Sequence, residues 1–135
     1  MSAQEQDNLL LIREYLKALE SAATGDALAR FFSPDAIQVE LPNRLNPNGG
    51  RSDLSTLLSR AELVPTLLRS QNYEIVSELA AGKNVAVEAT WSAVLAIAFG
   101  SVAAGTEMRA YFALFFEIDN GLIKSQRNYD CFEPW

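Results

Sequence analysis

Asp119-Asn120-Gly121 joins two runs of alternating polarity, and this constrains the chain more than any other feature. Asn-Gly is the strongest short signal for a tight β-hairpin, because both turn residues reach positive φ at little cost. It predicts two antiparallel strands, Glu107–Ile118 and Leu122–Phe132. Two further strands, Tyr73–Leu79 and Asn84–Ile97, flank the turn signal Ala81-Gly82-Lys83-Asn84.

Upstream the period changes. Leu9, Ile12, Leu16 and Leu19 recur at helical spacing beside Tyr15, so residues 4–23 read as an amphipathic helix that Gly25 can end. Asp26 can cap a short second helix through Phe32. Ser33-Pro34-Asp35 reads as a turn, Ile37 to Leu41 as a strand and Pro42 to Gly50 as a loop. Asp53 to Ser70 reads as helical with an interruption at Pro65, and Ser59 to Glu62 has capping-box spacing for a restart. Helices followed by a run of strands give an α+β fold with an antiparallel sheet.

The last hairpin permits a register. A two-residue turn at Asn120-Gly121 sets Ala113 opposite Asn128, Tyr111 opposite Asp130 and Arg109 opposite Phe132. One face then mixes Arg109, Tyr111, Ala113, Phe115, Gln126, Asn128 and Asp130. The other carries Phe112, Leu114, Phe116 and Ile118 against Ile123 and Tyr129, an apolar packing surface. The mixed face fits either solvent or a cavity wall.

The 135 residues make one domain, 1–135, with 49% hydrophobic and 21% charged residues, enough to bury a core without a disulfide or metal. A net charge of −6 argues against nonspecific nucleic-acid binding. No apolar run is long enough to span a bilayer, and acids at Glu5 and Asp7 stand where a secretory signal would be basic. The single Cys131 reads as a packing residue and fits a cytoplasmic location. There is no histidine, so Ser-His-Asp and Cys-His nucleophile systems and His-built zinc sites are excluded. Acid–base chemistry falls to carboxylates, tyrosines, lysines or water.

The order of pieces resembles the nuclear transport factor 2-like superfamily, within it the SnoaL-like polyketide cyclase, ketosteroid isomerase and limonene-epoxide hydrolase group. The resemblance spans residues 8–132. It rests on Ile12 to Leu19 with Gly25-Asp26, Phe31 to Ala36, Phe115 to Ile123 and Arg127 to Asp130. It implies a cone-shaped curved sheet wrapped on the N-terminal helices around an apolar pocket, with the mixed face of the last hairpin as pocket wall.

Family site residues carry over in part. Tyr15 matches the oxyanion-hole tyrosine of ketosteroid isomerases and Glu40 their general-base aspartate. Ala113 stands near their protonated aspartic acid. Ala89-Thr90-Trp91 replaces the Arg-X-Asp pair of epoxide hydrolases, and Asn128 their second aspartate. Asp130 matches the acid–base aspartate of SnoaL-like cyclases. The His-Asp dehydratase chemistry of the superfamily is excluded.

The resulting expectation is a pocket formed by Tyr15, Trp91, Tyr111, Asn128 and Asp130, with Glu40 at its wall and Arg109 able to reach Asp130. Asp130, Glu40 and Tyr15 are the catalytic candidates. Trp91, Arg109, Tyr111 and Asn128 are the ligand-binding ones. Bland readings compete at each: Asp130 as a rim acid paired with Arg109, Glu40 in solvent, Tyr15 and Trp91 as core. The chemistry implied is cofactor-free isomerisation or cyclisation of an apolar carbonyl compound, with no metal. The alternative is a noncatalytic binding module. The family commonly dimerises through its sheet, and a homodimer is expected to use Phe112, Leu114, Phe116 and Tyr129.

Overall fold

The computed structural model describes residues 1–135. Helix α1 (Ala3–Glu20) starts at Ser2, whose side chain accepts from the Glu5 amide while Glu5 returns the bond, a complete capping box. A short α2 (Asp26–Ala29) leads into β1 (Phe32–Glu40), and a loop into β2 (Gly50–Asp53). Helices α3 (Leu54–Ala61) and α4 (Val64–Leu67) precede β3 (Leu68–Ala81), β4 (Asn84–Leu95), β5 (Glu107–Asp119) and β6 (Leu122–Phe132). No helix is long and apolar enough to cross a membrane.

Three local expectations give way. Ser33-Pro34-Asp35 lies within β1, in the stretch where its pairing with β6 shifts register between Phe32 and Ile37. The helical stretch after Asp53 breaks at Glu62 and Leu63. Pro65 sits in the first turn of α4, where its missing N–H costs nothing, and the chain is already extended at Leu68. Gly50 to Asp53 pairs with β1, an edge strand hidden in a segment read as loop and helix start. Gly49 makes that return possible. Its φ is +64°, and a Cβ there would lie 2.5 Å from the Glu40 carbonyl oxygen.

The sheet runs β2-β1-β6-β5-β4-β3 and is curved and unclosed, the expected α+β cone. It is antiparallel except where β1 runs parallel to β6. The apolar stripe of α1, Leu9, Ile12, Tyr15 and Leu16, is buried in one core cluster with Val85, Val87, Ala89, Trp91 and Ala93 of β4. Met108, Ala110, Phe112, Leu114, Phe116 and Ile118 of β5 complete it. Strict alternation along β4 and β5 puts these residues on the concave face.

The register of the last hairpin differs from the expected one. Ile118 pairs with Ile123, but Glu117 pairs with Ser125, so Lys124 is an extra residue on β6. Such a β-bulge reverses the parity of everything beyond it. Asp130 stands opposite Phe112, Asn128 opposite Leu114 and Gln126 opposite Phe116. Tyr111 and Arg109 therefore lie on the convex face, across the sheet from Asp130.

Candidate active site

The bulge is what gives the cone a polar wall. Gln126, Asn128 and Asp130 join the concave face of β5, which is otherwise apolar. The parallel β1 pairs Gln38 with Gln126 and Glu40 with Asn128, so its polar side turns the same way. The fourth element is Tyr73 of β3, whose amide donates to Glu20 Oε2 at 2.7 Å and so ties the sheet to the end of α1.

Gln38, Tyr73, Gln126 and Asn128 line a cavity of about 290 Å³, roofed by α1, α2, α3 and α4. Leu19, Leu28, Phe32, Leu57, Phe112 and Leu114 give it an apolar body. Tyr15, Gln38, Gln71, Tyr73, Gln126 and Asn128 add polar groups, and Arg60 stands at the rim, bonded to Ser52.

A hydrogen-bond chain crosses this wall. The Tyr15 hydroxyl donates to Gln126 Oε1 at 3.0 Å, and Gln126 Nε2 donates to Asn128 Oδ1 at 2.9 Å. Asn128 thereby has its acceptor engaged, while its amide N–H groups make no hydrogen bond within the chain. Burial holds the Tyr15 phenol well above its ordinary range, partly offset by Gln126. Burial does the same to Tyr73, reinforced by the neighbouring acidic groups of Tyr15, Asp130 and Glu20. Both are committed donors at neutral pH.

Asp130 stands beside this wall, two residues beyond Asn128, and does not itself touch the cavity. Its Oδ1 is buried without any hydrogen-bond partner. Burial first, then the charge of Glu40, pushes its carboxyl up to about 7. Glu40 itself accepts from Asn43 Nδ2 at 2.6 Å.

The expected site is thus partly assembled. Tyr15 and Asn128 line the cavity, with Glu40 and Asp130 on the same wall. Trp91 is buried, donates through Nε1 to Gln71 Oε1 at 3.0 Å, and lines a different cavity. Tyr111 is half exposed and donates to Glu133 Oε2 at 2.5 Å. Arg109 lies 3.6 Å from Glu107, not beside Asp130. Both errors come from the Lys124 bulge. Of the polar residues at this cavity, Gln38, Arg60, Gln71 and Tyr73 are not among the expected site residues, and Gln126 is expected only as part of the mixed face. The alternation of Tyr73 and Ile75 with Glu74 is the signal that marks Tyr73 as inward. No group of three side chains converges to hold a metal ion.

No family model matches the sequence, and no curated protein matches it. Among solved structures, AclR of Streptomyces galilaeus, a candidate hydroxylase, superposes with a TM-score of 0.78 at 14% identity, over 96% of this chain and 82% of that one. A candidate polyketide cyclase from Xanthomonas campestris gives 0.77 at 21%, over 94% and 92%. A nuclear transport factor 2-like protein of unknown function from Burkholderia pseudomallei gives 0.72 at 16%, over 98% and 92%. The fold is therefore nuclear transport factor 2-like, and is shared with SnoaL-like and ketosteroid isomerase-like proteins.

Proposed function

We propose that this nuclear transport factor 2-like chain is an isomerase- or cyclase-type enzyme that takes a proton from the carbon next to a carbonyl, using no cofactor. The observation that carries this is the Asp130 carboxyl, with one oxygen buried and unpartnered on the polar wall of the cone. A carboxyl near neutrality can accept and return a proton at pH 7, where an ordinary one is too weak a base. Tyr73 and the Asn128 amide are the donors for the oxyanion that forms on the substrate oxygen, and the apolar walls exclude water from it. Gln126 is the positioning residue for Asn128. Asp130 would reach the carbon through a small shift of the wall, or through one water.

A test uses 2-tetralone, an enolisable ketone of suitable size, in D₂O. Wild type is expected to speed exchange of its α-protons, and Asp130→Asn to lose ~10²-fold or more of that rate. Equal rates would remove Asp130 from the chemistry.

The second reading is a noncatalytic binding module, favoured by the carboxyl lying off the cavity surface. Tetralone binding that is lost in Asn128→Leu, without exchange in wild type, supports it.

Assembly is part of the proposal. Tyr111, Phe115 and Tyr129 are large apolar side chains exposed on the convex face, and suit a homodimer interface above ~1,000 Å². Phe112, Leu114 and Phe116 are buried in the core and cannot serve. Cys131 is exposed and unpaired, which suits a reducing cytoplasm.

A further inference from the structure

Phe112 lines the polar cavity, and Trp91 stacks on it at 5.5 Å between centroids and 19° between planes. Trp91 also lines a second cavity of about 280 Å³. Val64 of α4 is common to both walls. The second cavity is built by α4, the paired ends of β4 and β5, and the connection between those strands. Its wall includes Leu67, Trp91, Leu95, Ile97, Phe99 and Met108.

The two chambers differ in kind. All ten residues around the second are hydrophobic, and the one polar side-chain group among them, Trp91 Nε1, is engaged by Gln71. A charged or strongly hydrogen-bonding group would be left unpaired against these walls. Water lacks the two or more polar partners it needs to be held, so an apolar ligand displaces little.

Size and shape narrow the occupant. An apolar protein cavity of ~150 Å³ takes one benzene ring. About twice that volume suits two fused rings. Trp91 and Phe99 present aromatic surface, and the Met108 thioether favours aromatic contact over aliphatic. Leu67, Ile97 and Phe99 remain 46%, 51% and 43% exposed around the empty space, apolar area that an occupant would cover.

We propose that this chamber is a binding site for a neutral, fused two-ring aromatic compound, separate from the cavity of the proposed chemistry. The proposal does not depend on that chemistry.

The test is naphthalene titrated by calorimetry and by quenching of Trp91 in Trp135→Phe, which leaves one tryptophan. Saturable binding of one naphthalene per chain is expected. Leu67→Glu places a charge on the wall at a half-exposed position and is expected to weaken binding at least ~10-fold, with the melting temperature nearly unchanged. Ile97→Glu does the same should Leu67→Glu fold poorly. Asn128→Leu, in the polar cavity, is expected to bind naphthalene as wild type does. Absence of saturable binding overturns the proposal. So does binding that survives both glutamates but is lost in Asn128→Leu. If naphthalene fails and Leu67→Glu turns a dimer into a monomer, the chamber is an interface between copies, and the proposal is again overturned.

Discussion

Asp130 stands directly opposite Phe112 across the β5–β6 ladder, so its carboxyl is carried on the concave, aromatic side of the sheet. Phe132, two residues on, shares that face and packs edge-on to Phe112, 6.1 Å between centroids. Nothing on this face donates to Asp130 Oδ1. The free energy this costs is what raises its proton affinity.

The pH dependence of stability follows from that. Unfolded, the carboxyl ionises near its ordinary 3.8; folded, near 7. Below both values it is protonated in either state and contributes nothing. Between them only the unfolded chain releases the proton, so folding loses stability as pH rises. The loss is at most ~4 kcal/mol, at ~1.4 kcal/mol per unit. Asp130→Asn removes this penalty. Its melting temperature is expected to match wild type near pH 4 and exceed it by several degrees at pH 8. Equal melting curves at pH 8 would mean that the carboxyl is not desolvated.

The Tyr15–Gln126 bond gives a second expectation. Gln126→Leu leaves a hydroxyl buried without a partner, which costs ~1–3 kcal/mol. Tyr15→Phe in the same chain removes the orphan and is expected to restore part of the loss, measured by urea denaturation as a double-mutant cycle. Strict additivity of the two changes would deny the coupling.

Lys124 offers a direct probe of the register. Lys124→Ala is expected to be neutral, because the side chain is exposed. Deleting Lys124 forces regular pairing and turns Gln126, Asn128 and Asp130 to the convex side. That deletion is expected to abolish cooperative unfolding. A deletion variant as stable as wild type would show that the bulge does not set the face.

The convex patch is tested by mass. Wild type is expected to sediment as a dimer at micromolar concentration, and Phe115→Glu with Tyr129→Glu as a folded monomer. Phe115 and Tyr129 pack edge-on at 5.7 Å, so both changes strike one spot. A monomeric wild type ends the dimer proposal.

The fold was legible because its strongest cues are local. Asn120 and Gly121 both take positive φ in the structure, as the hairpin turn demands, and the α1 stripe packs as its spacing requires. The site was less legible because a bulge has no residue signature. Nothing in Leu122 to Phe132 announces that Lys124 is supernumerary, yet it decides which side of the sheet the eight later residues of β6 join. Tyr15 is reached through the family resemblance, its helix stripe alone fitting the core equally well, and Asn128 through the mixed polarity of its strand. Tyr111 and Arg109 were misplaced by one residue of register. Tyr73 needed the sheet order to bring β3 round to face α1.

The most direct measurement is the ionisation of Asp130 itself, followed by the ¹³Cγ resonance of aspartate-labelled protein and assigned with Asp130→Asn. The acid–base role of Asp130 requires a carboxyl that titrates near pH 7. A midpoint in the ordinary range near 4 would mean a solvated or paired carboxylate, and would contradict the acid–base role given to it.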